Sequence, residues 1–274
     1  MQTVTQSGMI TSSQNAKIKL IRALAGRPKE RREADAFLAE GVRLVEDALT
    51  AQWPFHFVLF SAEVSARGQD LIAELRTAGV EVEEVQPELL RSASDTATSQ
   101  GIIAVMKLSH TPQPLPEGPD FLLIPDQIRD PGNLGTLIRT AAATGVQAVI
   151  IPPETTDPFA PKVVRAGMGA HFRLPILSRD WTEIGKLTEG MSMVLAEATA
   201  PMSCWEADLI GPTCLIVGGE AEGAGAAARA AANVSVCLPM TNDTESLNAG
   251  AAGAVLMFEV VRQRFAEFKR PTGP

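Results

Sequence analysis

Three short stretches carry residue types that could hold and react with a ligand. The first is D-Q-I-R-D-P-G-N-L-G-T-L-I-R-T, Asp126 to Thr140, which contains the amide of Asn133 and the guanidinium of Arg139. The second, V-G-G-E-A-E-G-A-G from Val217, sets Glu220 directly after an apolar run, where a carboxylate needs a partner or a purpose. The third, P-M-T-N-D-T-E-S-L-N from Pro239 to Asn248, offers the Ser246 hydroxyl and the Asn248 amide at a helix start, where such groups cap backbone or hold substrate. Each group also has a plainer account: Arg139 as a solvated arginine, Glu222 as a solvated carboxylate, the glycines as a tight turn, Asn133 and Ser246 as caps. The glycine-rich stretch is neither a P-loop, for no Gly-Lys-Ser/Thr follows, nor a G-x-G-x-x-G dinucleotide fingerprint.

Strands and helices must place these loops. Apolar, β-branched runs predict strands at Phe121 to Pro125, Ala148 to Ile151, Leu174 to Leu177, Met193 to Ala196, Cys214 to Val217 and Ser235 to Leu238. Helical spacing predicts helices at Leu134 to Thr144, Pro161 to Met168, Trp181 to Leu187, Ala226 to Ala231 and Leu247 to Phe268. In the last of these Leu247, Ala251, Val255, Phe258 and Val261 form the apolar face and Ser246 the cap. In the first, Arg139 points away from the stripe made by Leu134, Leu137, Ile138 and Ala141. The alternation predicts an α/β fold, a mostly parallel sheet covered on both faces.

Upstream, about ten polar residues, expected to be mobile, precede a helix from Asn15 to Ala25 capped by Ser12 or Ser13. A short strand and turn at Phe37 to Gly41 and strands at Phe55 to Phe60, Val80 to Val85 and Gly101 to Leu108 alternate with helices at Val42 to Ala51 and Gln69 to Ala78, an α/β sandwich. Pro112, Pro114, Pro116 and Pro119 make a stiff connection. The expected domains are residues 1–110, a linker at 111–119, and residues 120–274.

A net charge of -8 opposes indiscriminate binding to a polyanion. Lys17, Lys19, Arg22, Arg27, Lys29, Arg31 and Arg32 nevertheless cluster, either as a solvated helix face or as an RNA-touching patch. Cys204, Cys214 and Cys237 lack C-x-x-C spacing and are expected as buried thiols; isolated His56, His110 and His171 leave no metal site expected. No apolar run reaches the ~18 residues of a membrane span, and Met1 to Met9 lacks a signal-peptide pattern, so a soluble, cytoplasmic protein is expected.

N-L-G-x-x-x-R-T, then G-x-E-x-x-G, then L-P-M followed by E-S-L-N, in this order, resembles the three motifs of the SpoU/TrmH-type RNA ribose 2′-O-methyltransferases of the SPOUT superfamily. The likeness spans about Phe121 to Arg264. More loosely, I-T-S-S-Q-N-A-K-I-K-L-I-R-A-L and F-L-A-E-G-V-R-L-V-E-D-A-L are similar to the start of a substrate-binding α/β/α domain shared with kink-turn-binding ribosomal proteins.

The resemblance implies S-adenosylmethionine as methyl donor, a homodimer, and a trefoil knot that forms the cofactor pocket. By position, Gly218, Leu238 and Leu247 would line that pocket with Met240 nearby. Asn133, Arg139, Glu220, Ser246 and Asn248 would form the catalytic and substrate-positioning set. A guanidinium stays protonated in proteins, so Arg139 suits phosphate binding and hydroxyl orientation rather than proton abstraction, with Asn133 and Glu220 orienting it. Basic contacts to RNA would lie in the N-terminal domain and around Arg129, Arg139, Lys162 and Arg165.

The chain departs from the family pattern in two places. Asn242 replaces a usual glycine, at a turn that asparagine tolerates, and Ala249-Gly250-Ala251 replaces a bulkier helix start. The implied substrate is ribosomal RNA of the large subunit. The alternatives are a transfer-RNA ribose methyltransferase, a non-catalytic RNA-binding or assembly protein keeping the fold, and a small-molecule enzyme with a glycine-rich nucleotide loop.

Overall fold

The computed structural model describes residues 9–94, 99–220, 222–242 and 246–268, with side chains as far as 265. Most of the polar opening, residues 1–8, and Asp243, Thr244 and Glu245 of the third loop lie outside the described residues. The chain forms two compact units, Met1–His110 with Phe159–Arg165, and Thr111–Pro158 with Ala166–Pro274.

In the first unit β1 (Ala36–Glu40), β2 (Phe55–Phe60), β3 (Val82–Glu84) and β4 (Ile102–Lys107) make a mixed sheet in the order β1-β4-β2-β3. Helix α1 (Ala16–Ala25), followed by α2 (Pro28–Glu33), packs Ile18, Ile21 and Leu24 against Leu38, Leu59, Ile103 and Val105 on one sheet face. The alternate strand residues Phe37, Val58 and Ala104 are buried too, as are the inward residues of α3 (Val42–Thr50) and α4 (Ala66–Thr77), so side chains from both faces of the strands are covered. Helix α5 (Pro87–Ala93) completes the unit, and the Phe159 ring lies 5.0 Å from that of Phe37.

Several local expectations change here. Asn15, not Ser12 or Ser13, caps α1: its side chain accepts the Lys17 N–H at 2.8 Å. The basic cluster is not one surface. Arg31 is 2% exposed and donates to the Leu24 carbonyl, while the Lys17 ammonium lies 2.7 Å from Glu81. Helices α2 and α5 were not foreseen, although each has proline in its first turn, the place a helix tolerates it best.

The second unit holds a seven-stranded sheet of β5 (Phe121–Asp126), β6 (Ala148–Ile151), β7 (Ile176–Ser178), β8 (Ser192–Ala196), β9 (Met202–Ser203), β10 (Thr213–Gly218) and β11 (Val234–Cys237). The order is β7-β6-β5-β10-β8-β11-β9, and every pairing is parallel. Its helices are α6 (Pro131–Thr144), α8 (Trp181–Leu187), α9 (Ala226–Ala231) and α10 (Ala249–Phe268); α7 (Pro161–Ala166) falls mainly in the segment assigned to the first unit. Ile184 of α8 and Ala228 of α9 share one core with Leu122, Ile150, Leu195 and Ile216, while α10 lies along α6 and β10. A sheet buried on both faces reads as continuous apolar runs, which is how its strands appear in the sequence. Among the described residues no helix is long and apolar enough to cross a membrane.

The start and the buried face of α10 both differ from expectation. Leu256, Met257 and Val260 are buried, whereas Leu247, Val255 and Phe258 are exposed, Phe258 by 54%. The reason is glycine: a Cβ on Gly253 would stand 2.2 Å from the Leu137 side chain, so α6 and α10 meet where the helix has least bulk, and apolar periodicity misplaces the contact. Helix α10 begins at Ala249, and its cap is Asn248, whose side-chain oxygen accepts the Ala251 N–H at 3.2 Å. Ser246 lies outside the helix.

Candidate active site

The carboxyl ends of β5, β10, β8 and β11 lie in register neighbourhood, so the loops that leave them meet at one end of the sheet, the usual ligand-facing edge of a parallel sheet. There a cavity of about 250 Å³ is lined by Val217, Gly218, Glu220, Leu238, Met240 and Ser246, with Leu247, Ala249, Ala252 and Leu256 closing it from the α10 side. All four residues expected to hold a cofactor, Gly218, Leu238, Met240 and Leu247, border this one space. Its walls are mostly aliphatic, and the polar side chains among them are Glu197, Glu220, Arg229 and Ser246.

Helix α6 delivers Asn133. Asp130 caps the helix by accepting the Asn133 N–H at 2.8 Å, so the N-cap is not Asn133 itself, and the Asn133 side chain is free for other use. It donates from Nδ2 to Oε1 of Glu220, 87 residues further on. Glu220 thus finds its partner across two loops, and Asn133, 8% exposed, is the fixed half of the pair. Arg139 is exposed on the same helix and has no hydrogen bond or ion pair among the described residues. Neither Asn133 nor Glu220 makes a hydrogen bond to Arg139 among the described residues. Six residues apart on a helix, positions 133 and 139 project on different faces.

Glycine shapes the loop after β10. A Cβ on Gly218 would lie 2.3 Å from the Ala224 nitrogen and 2.6 Å from the Gly223 carbonyl carbon, distances backbone cannot grant. Asn242 takes φ +57°, the left-handed geometry asparagine tolerates. Glu222 is exposed, as a solvated residue should be.

Asp126, unremarked in the sequence, ties the first loop to the second. It is 2% exposed, and its Oδ2 accepts the Gly225 N–H at 2.7 Å. Burial holds its carboxyl above the usual carboxylate range, the Gly225 bond opposes that, and Glu154 adds to it while Arg229 subtracts. Since the folded value lies above the ordinary 3.8, the protonated carboxyl is favoured by folding; that contribution is complete below about pH 4 and is lost as pH climbs through the raised value. Asp126→Asn keeps an oxygen for Gly225 and removes the ionisation. Compared across pH 4 to 8, its melting temperature should gain on that of the wild type as pH rises toward neutral. Identical pH profiles would show that Asp126 ionises freely.

The cysteines stand apart from this chemistry. Burial pushes the Cys204 thiol up to about 11 and that of Cys214 higher still, so neither is a thiolate near neutral pH, and Cys237 is half-buried.

Known proteins share both units. Residues 120–258 match the SpoU rRNA Methylase family, and residues 15–104 match the MRM3-like substrate binding domain. The chain is 31% identical over 253 residues to the 23S rRNA (guanosine(2553)-2'-O)-methyltransferase RlmP of Bacillus subtilis, covering 92% of this chain and 98% of the relative. It is 30% identical over 269 residues to the 23S rRNA (uridine(2479)-2'-O)-methyltransferase of Streptomyces viridochromogenes, covering 93% and 92%. Among solved structures, the AdoMet-bound rRNA methyltransferase of Sinorhizobium meliloti superposes with a TM-score of 0.81 at 29% identity, covering 94% of this chain and 98% of that one. The chain belongs to the SpoU rRNA methylase family.

Proposed function

We propose that the protein transfers a methyl group from S-adenosylmethionine to a ribose 2′-hydroxyl of ribosomal RNA. The observation that carries this is the convergence of Gly218, Glu220, Leu238, Met240, Ser246 and Leu247 on one cavity, with Asn133 fastened to Glu220 at its rim. The residues present suit the cofactor: aliphatic walls for an adenine, and the Glu220 carboxylate at the rim to favour a cationic sulfur. When bound, the cofactor supplies a methyl group on a positively charged sulfur, open to in-line attack by an oxygen.

What the chain itself must do is hold that oxygen at attack distance. Arg139 has no ion pair among the described residues, and its guanidinium grips the phosphate beside the target ribose and aims the hydroxyl at the cavity. Asn133 keeps Glu220 at the rim, and Asn248 fixes the first turn of α10 beside Ser246 and Leu247. The first unit carries the RNA, as a substrate-binding domain of the kink-turn type, and the protein works in the cytoplasm with its ribosomes.

Two finer features follow the family. The chain runs from β11 back to the middle of the sheet, where α10 lies on α6 and β10; this supports a trefoil knot around the cavity. Ala251, Val255 and Phe258 form an exposed small and apolar stripe on α10, which supports a homodimer across that helix. Phe258→Glu is expected to shift the protein from dimer to monomer in sedimentation, whereas an unchanged dimer would move the interface elsewhere.

The activity is tested by mapping ribose methylation across cellular RNA with and without the gene, alongside calorimetry with S-adenosylmethionine. Loss at one ribosomal nucleotide is expected. Loss confined to transfer RNA would change the substrate, and absence of cofactor binding would favour a non-catalytic assembly protein.

A further inference from the structure

Between the glycine loop and β11 the cavity has a charged wall that none of the three motifs contains. Glu197 follows β8 directly, and its Oε1 accepts from Nε of Arg229, on α9, at 3.0 Å. Arg229 in turn reaches the Glu222 carbonyl at 3.4 Å. The backbone of Glu197 is pinned on both sides, its N–H donating to the Val236 carbonyl at 2.9 Å and its own carbonyl accepting from Ala200 at 3.1 Å. Its second carboxylate oxygen, Oε2, has no hydrogen-bond partner among the described residues. Glu197 thus lines the cavity with one carboxylate oxygen held by an arginine and the other without a protein partner, a group able to accept from a ligand.

We infer that Glu197 accepts the ribose hydroxyls of the cofactor, and so selects a ribonucleoside at this end of the cavity; the inference rests on the methyltransferase reading above. Three groups of the cofactor could face this wall. The amino-acid tail carries a carboxylate that Glu197 repels as well as an ammonium it attracts, and Arg229 already balances the charge of Glu197. The adenine suits the aliphatic walls formed by Val236, Leu238 and Leu256. The diol offers neutral donors, matched to an acceptor whose charge is already paired. The position fits as well, because ligands of parallel α/β sheets bind outside the carboxyl ends of the strands, and Glu197 directly follows β8 there. Glu220, the other carboxylate of the cavity, is occupied by Asn133 at the reactive rim.

Calorimetric titration of the full chain tests this with S-adenosylhomocysteine, its 2′-deoxy and 3′-deoxy forms, and 5′-methylthioadenosine, which keeps the ribose but lacks the tail. The wild type is expected to bind at least one deoxy ligand about 10–100-fold more weakly than the parent, the worth of a hydrogen bond to a charged group. In Glu197→Ala that ratio should fall to near one, while the variant loses a similar factor for both S-adenosylhomocysteine and 5′-methylthioadenosine. Glu197→Gln, which keeps the volume, should retain only part of the discrimination. The ratio compares two ligands on one protein, so a loss of stability in either variant cannot imitate it. Full discrimination surviving in Glu197→Ala overturns the inference, and a penalty that disappears with 5′-methylthioadenosine reassigns Glu197 to the tail. If the wild type fails to bind S-adenosylhomocysteine at all, the methyltransferase reading falls and takes the inference with it.

Discussion

Arg139→Ala is expected to lower methyl transfer to ribosomal RNA by at least 10²–10³-fold while leaving cofactor affinity within about twofold of wild type. The size follows from losing the two-pronged grip that would hold the phosphate and set the attacking oxygen in place, where a misplacement of about 1 Å costs roughly 10²-fold. The separation of the two effects follows from geometry. Arg139 is exposed on α6 and does not line the cavity, so nothing that grips the cofactor leaves with it. Arg139→Lys should recover part of the rate, because an ammonium keeps the charge but not the two-pronged geometry that fits a phosphate. Single-turnover assays with labelled methyl donor read the first quantity, and calorimetry with S-adenosylhomocysteine the second. Unchanged turnover on the natural RNA would remove Arg139 from the mechanism.

Gly218→Ala is expected to have the opposite signature, with cofactor binding lost before chemistry is reached. The added Cβ would lie within 3 Å of three backbone atoms of Gly223 and Ala224, none of which can swing aside as a side chain does. Either the loop shifts out of the cavity or β10 shifts within the sheet. Overpacking of this kind costs about 1–3 kcal/mol, and more where backbone must move. A weakening of cofactor binding by about 30-fold or more should therefore accompany a measurable fall in melting temperature. Wild-type affinity in this variant would mean that the loop is more compliant than its contacts imply.

The parts of the fold that were legible in the sequence are those where burial is two-sided and local. Ala148 to Ile151 has as a strand the bounds its apolar run predicts, because nothing but apolar side chains can face two layers of helices, and Phe55 to Phe60 keeps its predicted bounds with His56 exposed near its start. Legibility fails where small residues make the contact. On α10, Gly253 and Ala249 do what Leu or Val does elsewhere, so hydrophobic spacing pointed to the exposed stripe. It also fails for partners distant in sequence. Asp126 and Gly225 are joined across 99 positions, and Glu197 meets Arg229 across 32; neither carboxylate looks different from a solvated one until the strands are ordered. The caps at Asp130 and Asn248 were misassigned because several residues able to cap stand within a few positions of each other, and only geometry decides between them. The candidate site is read from the order of its three loops, a pattern that periodicity does not contain.

The strand order has a consequence for how the molecule comes to exist. β10 lies between β5 and β8, two strands made well before it on a growing chain, and α10 then packs on α6, more than a hundred residues upstream. The two halves of the sheet cannot be joined until Thr213–Gly218 arrives, and contacts of such long sequence separation form slowly. Because Leu256 of α10 closes the cavity, no chain shorter than about that residue can build it. The ligand site is thus among the last features to be completed, and a partly made protein has an exposed sheet interior rather than a weak version of the finished site.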